Sequence, residues 1–142
     1  MIEVYRFAEV KNQLPKHWSL IEIEIEGASI NPGFQVWESL SQVVGVSLGI
    51  DPMYGEAFME YPYIMIIEAS SYYEAEGEWV AVEVEKVESV KVVEVAELTQ
   101  WVKRELKVNE YWELEEKEIQ LTSWIKEKAL SVQPIFVETL RK

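Results

Sequence analysis

The chain has 142 residues, 49% of them hydrophobic and 27% charged, which is typical of one globular domain rather than a disordered or fibrous chain. It contains no cysteine, which excludes disulfides, thiol redox chemistry and thiolate-bound metals. The formal net charge of -13 disfavours direct nucleic-acid binding, because such binding depends on Lys and Arg neutralising phosphates.

The first third of the chain predicts two strands and one helix. Apolar and polar residues alternate over Val4 to Val10 and again over Leu20 to Glu26, with a loop between them. The segment "GASINPGFQVWESLSQVVG" predicts a helix, because Asn31 suits the N-cap, Pro32 suits the first turn and Gly45 suits the stop.

The middle of the chain is rich in strand patterns. Val46, Leu48 and Ile50 predict a short strand before the turn "DPMYG". "YPYIMIIEA" is apolar on both faces, which predicts an interior strand. The valine-rich residues 79–95 predict either one long bent strand or a hairpin, and the sequence does not decide between them.

Helical patterns dominate after residue 96. "ELTQWVKRELKV" and "QLTSWIKEKALSV" share the frame L-T-x-W-[V/I]-K at an offset of 23 residues, which we attribute to similar packing demands. Thr99 and Thr122 are candidate caps, although residues 110–131 fit one long helix as well as a loop followed by a helix. Pro134 to Glu138 predicts an extended segment.

These patterns predict a single α+β domain over residues 1–142. Strands without crossover helices argue for a largely antiparallel sheet of about five or six strands, with two or three helices packed on one face. Residues 1–96 are expected to be rich in strands and residues 97–131 rich in helix, and residues 132–142 are expected to form an extended C-terminal segment.

The chain predicts neither a membrane span nor a metal site. Its best apolar run, "YPYIMII", is far shorter than the roughly 20 residues that a membrane helix needs, so we expect a cytoplasmic protein. Of the 26 acidic residues only Asp51 is not Glu, whereas calcium and magnesium sites use Asp clusters. The sole histidine, His17, is expected in a loop, so we expect no cofactor. The Glu enrichment is a trend of heat-adapted proteins.

The row "IEIEIE" raises the question of an acidic binding face. Alternation places its isoleucines toward the helices and its glutamates outward, and a solvated strand face explains that pattern by itself. If a neighbouring strand placed a second row of glutamates beside this one, the combined acidic face could bind a basic protein or mimic nucleic acid. The candidate partner-binding residues are Glu22, Glu24, Glu26, Glu74, Glu76, Glu78, Tyr72 and Tyr73.

The sequence patterns that would indicate an enzyme are weaker than those that indicate a binding protein. "GVSLG" fits the G-x-S-x-G pattern around Ser47, with His17 and Asp51 to complete a triad. In hydrolases this pattern forms the nucleophile elbow, in which a strand, a tight turn and a helix follow one another. Here a helix is predicted before Ser47 and a turn after it. We therefore interpret Ser47 as structural and predict no catalytic residue.

Two glutamates have apolar neighbours in the sequence. Glu68 continues the Ile64 and Ile66 face, and together with Tyr63 it is the candidate for a ligand pocket between sheet and helices. Glu105 occupies the same position in the shared helical frame as Lys128, so the two would either pair or reach separately into water.

The sequence thus predicts a small acidic, non-catalytic binding protein that engages a basic surface on a protein partner. A small-molecule-binding domain with an apolar, aromatic-lined pocket is the alternative, and a small hydrolase comes third. The oligomeric state stays open, a homodimer included.

Overall fold

The computed structural model of the protein describes residues 1–16, 33–51, 58–75 and 79–138. A 3₁₀ turn at Val84–Lys86 and a π-helical turn at Val102–Leu106 accompany the regular elements. Within the described residues these are nine strands and four α-helices: β1 (Ile2–Ala8), β2 (Gln13–Pro15), β3 (Gly33–Val36), α1 (Leu40–Leu48), β4 (Tyr63–Ala69), β5 (Tyr73–Ala75), β6 (Trp79–Glu83), β7 (Val87–Glu94), α2 (Val95–Trp101), α3 (Tyr111–Glu116), α4 (Glu118–Lys128), β8 (Leu130–Val132) and β9 (Ile135–Val137).

A four-stranded antiparallel sheet with the order β1-β4-β7-β8 forms the centre of the protein. Strand β4 lies inside it, and Ile64, Met65 and Ile67 are completely buried because both faces of the strand are covered. The prediction of an interior strand at "YPYIMIIEA" is therefore confirmed, and so is the α+β class with a largely antiparallel sheet.

Two hydrophobic cores lie on opposite faces of this sheet. On one face Ile64 and Ile66 pack with residues from all four helices, which confirms that the helices cover a single face. On the other face Met65 and Ile67 share a core with Phe34 of the small antiparallel sheet β3-β6-β5. The short parallel pair β2-β9 also contributes to this second core. The additional short strands explain why the described residues contain more strands than predicted.

The predicted helix over Asn31 to Gly45 is wrong in its first half. Gly33–Val36 is strand β3, paired antiparallel with β6, and helix α1 begins only at Leu40. The Oγ of Ser39 caps α1 by accepting a hydrogen bond from the backbone N–H of Gln42 at 3.1 Å. Pairing with β6 therefore prevails over the helical pattern, and Asn31 lies outside the described residues.

Helix α1 also runs further than predicted, to Leu48, so the short strand expected at Val46, Leu48 and Ile50 is wrong. Its end is Gly49, whose φ of +74° is accessible at low energy to glycine. Gly45 lies inside the helix instead, where a Cβ would come within 2.9 Å of the Tyr111 ring. Gly45 thus allows α1 and α3 to approach closely.

The two choices that the sequence left open are settled by the described elements. Residues 79–94 contain two strands, β6 and β7, which belong to different sheets and are not a hairpin, and Val95 already begins α2. The 3₁₀ turn between them carries the chain from one sheet to the other. Residues 111–128 form two helices, α3 and α4, which meet at Lys117.

The shared L-T-x-W-[V/I]-K frame buries its leucine and its β-branched residue in both copies. Leu98 of α2 and Leu121 of α4 are completely buried, and the two tryptophans of the frame stack on each other. Thr99 and Thr122 lie inside these helices and cap neither of them. Residues 135–137 of the predicted extended segment form β9.

The start of α1 gives a first testable prediction. Ser39→Ala removes an N-cap and should lower the free energy of unfolding by about 1 kcal/mol. Ser41→Ala is the matched control, because the buried Ser41 Oγ has no hydrogen-bond partner among the described residues. Its removal should be neutral or slightly stabilising. Urea denaturation of both variants tests this, and equal losses would contradict the assignment of Ser39 as the cap.

Candidate functional site

The proposed acidic strand face is described only in part. Glu22, Glu24, Glu26, Glu76 and Glu78 lie outside the described residues. His17 lies there as well, so the strand predicted at Leu20 to Glu26 is not tested.

The described members, Tyr72, Tyr73 and Glu74, do not form one face. The Tyr72 hydroxyl donates to Glu38 at 3.3 Å and to Glu74 at 3.4 Å, and the charge of Glu38 is the main reason why its pKa is raised. Tyr73 points to the opposite side of β5, where a hydrogen bond to Glu83 raises its pKa. Glu83 is only 4% exposed, so it does not belong to an outer acidic face.

The structure separates the two residues of the predicted pocket, Tyr63 and Glu68. They stand at opposite ends of β4, roughly 17 Å apart for a strand rise of about 3.4 Å per residue. Glu68 is paired in register with Glu3 and accepts a hydrogen bond from the Ser89 Oγ at 2.8 Å. Tyr63 borders a cavity beside the end of α1 and the start of α2, but its side chain packs in the second core, on the sheet face away from the helices.

Ser47 does not lie in the geometry of a nucleophile elbow. It is a helical residue of α1, and its buried Oγ donates to the carbonyl of Val44 at 2.8 Å. The whole "GVSLG" segment is described, and it forms the end of a helix rather than a strand followed by a turn and a helix.

Glu105 and Lys128 do not form the pair that their matched positions suggested. Both are exposed, and the ion pair that Glu105 forms is with its neighbour Arg104 at 3.4 Å. The alternative, that each reaches separately into water, agrees with this exposure. The contact between the two helices is made by Trp101 and Trp124 instead, with ring centroids 5.1 Å apart.

The outer side of α3 and α4 exposes large apolar side chains among carboxylates. Trp112 is 57% exposed and Ile119 is 84% exposed, and they are seven residues apart on two consecutive helices. The buried stripe runs through Leu114 and Leu121, two residues further along in each case. A step of two residues is about 200° on a helical wheel, so Trp112 and Ile119 face away from the core.

We refer to this side of the two helices as the α3–α4 surface. All of its carboxylates are solvent-exposed, so a partner can reach them. Its members are Glu110, Trp112, Glu115, Glu116, Glu118 and Ile119. The sequence analysis missed this surface, which becomes evident once Leu114 and Leu121 are assigned to the core and the opposite sides of the two helices are considered.

A second feature is a cleft beside the end of α1, which we call the α1–α2 cleft. Its larger compartment, about 500 Å³, lies between the end of α1, residues 59–63 and the start of α2. Its smaller compartment, about 330 Å³, is lined by Ile50, Lys107 and Val108 among others. Leu48 and Lys103 line both compartments, so the two lie side by side.

Other classes of site find little support in the described ranges. No helix there is long and apolar enough to span a bilayer. Within the same ranges, no three acidic or histidine side chains are grouped in a way that could hold a metal ion. Comparison with protein-family models, with curated proteins and with solved structures gives no match.

Proposed function

We propose that this protein is a small acidic binding protein that engages a basic surface on a protein partner through the α3–α4 surface. The observation that carries the proposal is the 57% exposure of Trp112 in the middle of exposed carboxylates. Tryptophan is enriched among the residues that dominate protein–protein binding energy, because it buries a large area at a low entropy cost.

The charge of the chain supports a basic partner. A net charge of -13 produces a long-range field that accelerates the approach of a positively charged surface and repels an acidic one. Glu115, Glu116 and Glu118 of the α3–α4 surface flank a single half-buried lysine in the sequence, Lys117, so the local charge has the same sign as the whole. The apolar pair Trp112 and Ile119 would supply the affinity, and the carboxylates the orientation.

The proposal includes a cytoplasmic location. Small secreted domains commonly depend on disulfides, and this chain has no cysteine from which to form them.

Binding should depend on Trp112 and on salt. A basic protein retained from a lysate of the native host at about 50 mM salt is purified, and its association with each variant is measured by surface plasmon resonance. Trp112→Ala should weaken binding by about 2 kcal/mol, or about 30-fold. The double variant E115Q/E116Q should slow association, and raising salt to about 300 mM should do the same in the native protein.

The control is E9Q/E88Q, which removes the same charge from two exposed glutamates outside α3 and α4. It should leave the affinity close to the native value. If it slows association as much as E115Q/E116Q, the effect belongs to net charge rather than to this surface. If no basic protein is retained at low salt, or if Trp112→Ala binds normally, the proposal is wrong.

A further inference from the structure

We infer that the α1–α2 cleft binds a small amphipathic carboxylate, with its anionic group held by Lys103 and Lys107. This site is independent of the proposed protein-binding function. The cleft has the dimensions of a ligand site, since its two compartments measure about 500 and 330 Å³ and small-molecule pockets span about 300–1,000 Å³.

The smaller compartment of the cleft has the chemistry of an anion site with an apolar wall. Leu48, Ile50 and Val108 supply the wall, and the two lysines supply the charge. No carboxylate lines this compartment among the described residues, although acidic residues outnumber basic ones 26 to 13 in the chain. Neither ammonium group has an ion-pair partner within the described residues.

The backbone that carries the two lysines is unusual. Lys103 lies in the π-helical turn Val102–Leu106, a conformation that is rare and frequent at functional sites. Lys107 ends that turn with a φ of +54°, in the left-handed region that residues other than glycine seldom adopt. The N–H of Lys107 donates to the Val102 carbonyl at 2.9 Å, which fixes the conformation. Both irregularities thus coincide with the cationic end of the cleft.

The larger compartment of the cleft indicates a singly charged ligand with an apolar body. Met59 and Tyr61 provide apolar and aromatic lining next to Lys103. Glu60 and Glu94 line the same compartment, and their charges would oppose a doubly charged phosphate more than a monocarboxylate. A carboxylate group between the two lysines, with its apolar tail toward Met59 and Tyr61, fits the chemistry of both compartments.

Decanoate is the probe for this inference, and calorimetric titration is the measurement. The native protein should bind decanoate saturably below about 1 mM and bind decanol, which lacks the charge, at least about tenfold more weakly. K103A/K107A should lower the affinity for decanoate to that for decanol. K126A/K128A, which removes the same charge from exposed residues of α4, should change neither affinity.

A second variant separates the cleft from general surface binding. Ala96→Trp places a bulky ring at an exposed residue that lines the larger compartment, and it should weaken decanoate and decanol alike. Absence of saturable decanoate binding, equal affinity for decanol, or tighter binding of decyl phosphate than of decanoate would each overturn the inference. Unchanged decanoate affinity in K103A/K107A would overturn it as well.

Discussion

Phe34→Ala should lower the free energy of unfolding by about 3–5 kcal/mol, the range observed for removing a buried phenylalanine. Phe34 is 1% exposed and lies in the core that joins the small sheet to the central sheet. The Arg6 guanidinium also lies over its ring, 5.8 Å from the centroid, so the substitution removes a cation–π contact as well. The loss comes mainly from the unfilled volume left between two layers that cannot collapse fully.

The matched control is Gln35→Ala, the next residue of the same strand. Gln35 is exposed, so its replacement should change stability by less than about 0.5 kcal/mol. Its backbone carbonyl accepts a hydrogen bond from Arg6, and the substitution leaves that contact intact. Urea denaturation of both variants provides the comparison. Similar losses at the two positions would mean that β3 does not pack on the central sheet.

The same strand shows where sequence reasoning fails. Phe34 and Val36 alternate with polar Gln35 as a strand requires, but Phe34, Trp37 and Leu40 also follow a helical period. The local pattern therefore fits both structures, and the partner that decides between them, β6, lies more than 40 residues away in the sequence. Strand β4 was predictable because its apolar run is continuous on both faces and no helix pattern competes with it.

The two candidate sites, the α3–α4 surface and the α1–α2 cleft, also differ in how well the sequence predicts them. The exposure of Trp112 follows from the sequence once Leu114 and Leu121 are assigned to the core, because the helical wheel then places Trp112 on the far side. The α1–α2 cleft could not be predicted, because three separate segments of the chain form it. Lys103 looks like any exposed helical lysine in the sequence, and only the fold brings it into the same compartment as Leu48 and Tyr61.

Trp124→Ala should be comparably destabilising, with a loss of about 3–5 kcal/mol. Trp124 is 8% exposed, and its ring stacks on Trp101 with an interplanar angle of 21°. The contact joins α2 to α4 above the completely buried Leu98 and Leu121. Replacing the charges at the matched positions, E105Q/K128Q, should change stability by less than about 0.5 kcal/mol, because both side chains are exposed.

A double-mutant cycle isolates the stacking of the two tryptophans from the area that each one buries. Trp101→Ala, Trp124→Ala and the double variant should give a coupling free energy of about 0.5–1.5 kcal/mol, as for other aromatic pairs. The same cycle on Glu105 and Lys128 should give a value close to zero, since no ion pair joins them within the described residues. Additive losses for the tryptophans would show that the ring contact does not couple α2 to α4. A coupling between Glu105 and Lys128 larger than that between the tryptophans would show that the charges contribute more than the rings.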